Sequence, residues 1–180
     1  MNNKFTVKDI ALVAVLTSIL FVQEQLLTFL PNISFTIFLM VLYSKKLGFI
    51  KSSIIILIHV FLDNLLHSSF SIMYFPFMLL GYMVIPTVTS IFLKKVNAPL
   101  LLSLFGILFS FIYCFSFFIP NALFLEIDML AYFISDIPFE LLLAASSFLS
   151  ILWLYKPCSN LIDKLYQKEN SNWILLIFLY

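Results

Sequence analysis

Residues 94–120 read KKVNAPLLLSLFGILFSFIYCFSFFIP. Two lysines are followed by the turn formers Asn97 and Pro99, and then by twenty residues, Leu100 to Ile119, without a single charge. A helix needs about 20 such residues to cross the hydrocarbon core of a bilayer. Lysines beside a span stay on the cytoplasmic side, because their translocation is disfavoured. The segment therefore reads as an inner turn, a crossing and an outer turn at Pro120.

The same pattern repeats in both directions. All ten basic residues are lysines, in four clusters: Lys4 and Lys8; Lys45, Lys46 and Lys51; Lys94 and Lys95; Lys156, Lys164 and Lys168. Each gap between clusters is long enough for two crossings, which places every cluster on one side. The expected fold is an all-α integral membrane protein, a bundle of six transmembrane helices with both termini cytoplasmic. The helices are predicted near 7–29, 33–43, 47–66, 72–93, 100–119 and 136–155. Pro120 and Asn121 open a longer outer loop carrying Glu126 and Asp128. Asp136 followed by Pro138 reads as the start of the sixth helix. Residues 1–165 are one domain, and 166–180 form a cytoplasmic tail with an apolar end.

Composition points the same way. The chain is 63% hydrophobic and only 11% charged, with a mean hydropathy of +1.10. Soluble chains carry nearer 25% charged residues, so lipid must be part of the solvent here. No basic patch interleaved with aromatics exists for nucleic acid. No nucleophilic triad, phosphate-binding glycine loop or metalloprotease helix is present, so the chain reads as a non-enzyme without a cofactor. Cys114 and Cys158 lie at different depths and do not suggest a disulfide.

Ionisable residues within apolar helices are expensive and default to functional candidates. Four acids qualify: Glu24, Asp63, Asp136 and Glu140. All fall toward the outer ends of their helices, at the level of Asn64, His67, Tyr74 and Tyr132. They read as a polar pocket open to the outside, with Tyr74 and Tyr132 able to stack on a flat ligand. His59, Asp63 and His67 follow one helix face at steps of four. This ladder reads as buried hydrogen bonding, not a metal site, and His59 as a packing residue nearer the midplane. In the first helix, Ala11, Ala14 and Ser18 supply small side chains, and Ala14 and Ser18 form a small-xxx-small pair. Glu24 points about 80° away from Ala14, so one helix can dock a partner and still turn an acid inward.

With these residues in view, the chain resembles the substrate-binding S components of energy-coupling factor (ECF) vitamin transporters. The likeness covers roughly residues 5–165. It rests on size, helix number and local phrasing: Asp63-Asn64-Leu65-Leu66, Phe77 to Pro86 (FMLLGYMVIP), Asp136-Ile137-Pro138-Phe139-Glu140 and Leu154-Tyr155-Lys156-Pro157. The resemblance implies residence in a bacterial plasma membrane and a vitamin-like ligand in the outward pocket. It implies docking on a transmembrane coupling protein through Ala11, Ala14 and Ser18, with serine at a position where alanine is typical. Two cytoplasmic ATPases would then power delivery. Acids without lysine on the outside favour a cationic or nitrogen-heterocycle ligand, thiamine-like or a pyrimidine precursor. The alternative is a non-transporting scaffold similar to the rod-shape-determining D proteins of the cell-elongation machinery. A small channel fits less well, because the polar residues concentrate at one end.

Overall fold

A computed structural model describes residues 5–68, 72–124 and 128–169, with side chains for all of these except 67, 68 and 165–169. Among the described residues the protein is all-helical. The elements are α1 (Val7–Leu26), α2 (Thr36–Ser68), α3 (Phe75–Ile91), α4 (Pro99–Phe124) and α5 (Met129–Glu169). The stretches Thr36–Leu66, Pro99–Phe124 and Met129–Lys164 are each long and apolar enough to cross a membrane, and Phe75–Ile91 is a shorter apolar helix.

α1 starts on a reciprocal cap. The Asp9 amide donates to Thr6 Oγ1 at 3.3 Å, and the Thr6 amide donates to Asp9 Oδ2 at 3.0 Å. Two of the orphan donors at a helix start are thereby satisfied. After α1, Asn32 takes a left-handed conformation (φ 56°) directly after Pro31, as asparagine tolerates in turns.

α2 is interrupted at Gly48, with φ 78° and ψ 179°. That region of backbone space is essentially restricted to glycine. Contacts with α1 show that the chain reverses there. Gln23, near the end of α1, donates to Thr36 Oγ1 at 2.9 Å. Lys51, just past the glycine, meets Asp9 at the start of α1 at 2.5 Å. His59 then returns to the level of Glu24. The break falls two residues beyond the Lys45–Lys46 turn predicted from sequence, since lysine is helix-compatible and only Gly48 can make this turn.

Three predicted boundaries are corrected. α4 continues through Pro120 to Phe124, and α5 begins at Met129, so most of the expected outer loop is helical. Asp136 and Pro138 sit well inside α5 instead of opening it, and the helix runs past Pro157 to Glu169. Proline removes one ladder hydrogen bond, but neighbouring helices in an apolar bundle make up for it. Glu126 and residues 170–180, including the apolar end, lie outside the described residues.

The four lysine clusters meet at one end of the bundle. Lys51 pairs with Asp9 beside Lys8, Lys46 pairs with Asp163 at 2.6 Å, and Lys45 Nζ donates to the carbonyls of Leu93 and Lys94 at 2.7 and 2.9 Å. Such exposed ion pairs are each worth under about 1 kcal/mol, so they mark a level more than they hold it. The core is apolar: Leu20, Met40, Val41, Ile55, Val60, Ile85, Leu102, Phe109 and Ile151 are fully buried. Large apolar side chains also cover the outside, with Leu80, Phe92 and Trp153 65–71% exposed, as a lipid-facing surface requires.

α4 and α5 approach closely along small residues. A Cβ on Gly106 would lie 2.5 Å from Ile151 Cδ1 and 3.5 Å from the Ser147 carbonyl. Four residues on, Ser110 Oγ donates to Ser147 Oγ at 3.0 Å. In lipid, where no hydrophobic force pulls helices together, such seams supply the packing.

Candidate functional site

The acids within the helices, Glu24, Asp63, Asp136 and Glu140, lie toward the end opposite the lysines. Glu24 lies 15 residues beyond Asp9 on α1, about 22 Å along the axis. Glu140 precedes Asp163 on α5 by 23 residues, about 35 Å. Tyr74 stands at the start of α3 and Asn121 in the last turns of α4.

Glu24 and His59 form the first group. Glu24 Oε2 sits 2.9 Å from Nε2 of His59, off the line of a full hydrogen bond; the histidine is 1% and the glutamate 22% exposed. Asp63, one turn after His59, is half-buried. Both carboxylates act electrostatically on Tyr82 and Tyr113. The two tyrosine rings stack with centroids 4.0 Å apart and 17° between planes, and His59 lies 6.2 Å from Tyr82. Gly81 makes this stack possible, because a Cβ there would come within 2.9 Å of Ser116 Oγ and 3.3 Å of the Tyr113 ring.

The aromatic row continues along α4. Phe117 meets Tyr113 edge-on at 5.1 Å and lies 6.0 Å from Tyr74. The Tyr74 hydroxyl donates to Asn121 Oδ1 at 2.7 Å. Asn64 is buried and donates weakly to Met78 Sδ at 3.6 Å.

The second group is on α5. Tyr132, Asp136 and Glu140 recur at steps of four and share one helix face. Tyr132 packs edge-on against Phe118 at 5.1 Å. Asp136 is half-buried, while Glu140 is 4% exposed with its Oε1 lacking a hydrogen-bond partner among the described residues. Asp136 acts on Glu140, and both act on buried Cys114. Tyr113 and Cys114 are adjacent on α4, the first stacked on Tyr82 and the second buried.

Of the eight residues expected from sequence, the structure sets Glu24 and Asp63 beside His59, Tyr132, Asp136 and Glu140 along one face of α5, Tyr74 in the aromatic row, and Asn64 apart, against Met78. The eighth, His67, falls outside the described side chains. Sequence reading missed His59, Tyr82, Tyr113 and Phe117 as members. The spacing of four from His59 to Asp63 was a usable signal. Nothing in the sequence separates Tyr82 and Tyr113 from the other aromatics except the small residues Gly81 and Ser116 beside them. Among the described residues, no three of His, Cys, Asp and Glu come together to hold a metal ion.

α1 has a second, different face. Ala11, Ala14 and Ser18 are all exposed. An open groove of about 540 Å³ runs along Ala14, Val15, Ser18, Ile19, Val22, Gln23 and Leu26. Ser18 Oγ donates to the Ala14 carbonyl of its own helix at 2.8 Å. The serine thus presents no unspent donor, and the groove is apolar although its sequence is not entirely so.

No protein-family model, no curated protein and no solved structure matches this chain, and its function is argued from the site and the surface alone.

Proposed function

We propose that this protein is the substrate-binding S component of an ECF-type transporter, set in a bacterial plasma membrane. It spans the bilayer six times, counting α2 as two crossings that meet at Gly48, and both termini are cytoplasmic. It is not an enzyme. It binds a vitamin-like ligand among the outward carboxylates and aromatics, and a transmembrane coupling protein with two cytoplasmic ATPases drives delivery.

The observation that carries this reading is the division of labour on α1. One face turns Glu24 into a polar, aromatic cluster at the end away from the lysines. The other face is an apolar groove built on Ala14 and Ser18. A scaffold has use for the groove but gains nothing from four carboxylates kept within apolar helices, each costing at least about 2.5–3.5 kcal/mol. A binding protein that must also dock needs both faces. The lysine-free polar end favours a cationic or nitrogen-heterocycle ligand, such as thiamine or its pyrimidine precursor.

Ala14→Trp fills the groove with an indole and should abolish assembly with the coupling protein, while the purified variant keeps its ligand affinity and elution profile. Co-purification from membranes expressing the transporter's subunits checks this. Undiminished assembly of the Trp variant would refute the docking face.

A further inference from the structure

We propose that Glu140, supported by Asp136, is the group that receives a positively charged nitrogen of the ligand, whereas Glu24 is reserved for His59. The proposal rests on the outward-pocket reading above and assigns its charged subsite.

The acids of the cluster differ in what already faces them. Glu24 has the imidazole of His59 at 2.9 Å. Glu140 is more deeply buried, at 4% exposure, yet its Oε1 has no hydrogen-bond partner among the described residues. The groups around it worsen the balance, since Asp136 is a second acid on the same face and Cys114 brings no positive charge. The lysines do not compensate. On α5 the nearest, Lys156, is 16 residues away, about 24 Å along the axis. A buried carboxylate without a partner is costly, and an incoming cation removes that cost.

The surroundings narrow the class of ligand. Tyr132 stands one turn from Asp136 on the same face. Tyr74 and Asn121 are tied to each other by the 2.7 Å hydrogen bond, and Tyr74, Asp136 and Asn121 all act on Tyr132. Aromatic faces beside a carboxylate pair suit a flat ring bearing a cationic nitrogen, which gains from stacking and from the cation–π attraction.

The test measures binding to the full-length protein in detergent, by intrinsic fluorescence, with two probes. Thiamine carries a fixed positive charge beside a flat aminopyrimidine, and biotin is an anion of similar size. The expected result is binding of thiamine and not biotin, with affinity weakened about 10-fold or more in Glu140→Gln, weakened less in Glu24→Gln, and changed less than about 2-fold in Asp163→Asn at the lysine end of the bundle. Asp136→Asn, on a half-buried side chain, carries the same test if Glu140→Gln fails to elute as a monodisperse protein, with a loss of several-fold expected. Loss of thiamine binding in Glu24→Gln but not in Glu140→Gln or Asp136→Asn would overturn the assignment and leave the pocket reading intact. Preference for biotin, or binding of neither probe, would also overturn it. The transporter reading is tested separately, by the partners that accompany the protein.

Discussion

His59→Ala lowers the melting temperature of the detergent-solubilised protein by on the order of 10 °C, and Glu24→Gln lowers it much less. His59 is fully buried and its Nε2 lies against Glu24. Removing one partner of a buried pair leaves the other uncompensated, at about 3–5 kcal/mol. Glu24 retains 22% exposure, which argues for the lower end of that range. For a chain of this size each kcal/mol moves the midpoint by about 2–4 °C. Glu24→Gln keeps a polar group facing the imidazole and fills the same volume, so its cost is smaller. The fluorescence of Trp153 offers a readout. No loss in His59→Ala would show that the pair does not hold α1 to α2.

The second large effect is expected at Gly48. Its φ of 78° and ψ of 179° lie where only glycine is comfortable, and no atom lies within 4 Å of a Cβ added there. The penalty for Gly48→Ala is therefore backbone strain and not a clash, about 1–3 kcal/mol. Its consequence is greater than that figure suggests, because this one residue sets the reversal that returns His59 to Glu24 and brings Lys51 to Asp9. We expect reduced yield of monodisperse protein and a lower melting temperature for Gly48→Ala, and greater loss for Gly48→Val. A variant as stable as the parent would mean that the chain reverses without needing glycine.

Much of the architecture was legible because lipid simplifies the code. Charge-free runs of about 20 residues identify helices, and the lysines mark their ends. The structure gathers those lysine clusters at one end through contacts of Lys45, Lys46 and Lys51. What misled was punctuation learned from soluble proteins. Pro120 and Pro138 read as the edges of a loop, yet both lie inside helices, as prolines are tolerated in membrane helices. Asp136 consequently moves from a helix cap to the helix face it shares with Glu140.

The site was legible in its acids and not in its aromatics. Carboxylates stand out in an apolar sequence, whereas Tyr82 and Tyr113 are hidden among twenty-two phenylalanines and eight tyrosines. Depth in the sequence also cannot tell which acid already has a partner. His59 was readable as a packing residue, but only the fold sets its Nε2 2.9 Å from Glu24 and leaves Glu140 buried with no ion pair among the described residues. The exposed alanines and serine of α1 were readable from spacing, while the turning of Ser18 Oγ onto its own helix was not.

The measurement that tests the central claim most directly is purification of the tagged full-length protein from its native membranes in mild detergent, with the accompanying proteins identified by mass spectrometry. A transmembrane coupling protein and two ATPases are expected, lost together in Ala14→Trp. Recovery of cell-elongation proteins in their place, unaffected by that substitution, would contradict it and return the carboxylate cluster to a purely structural role.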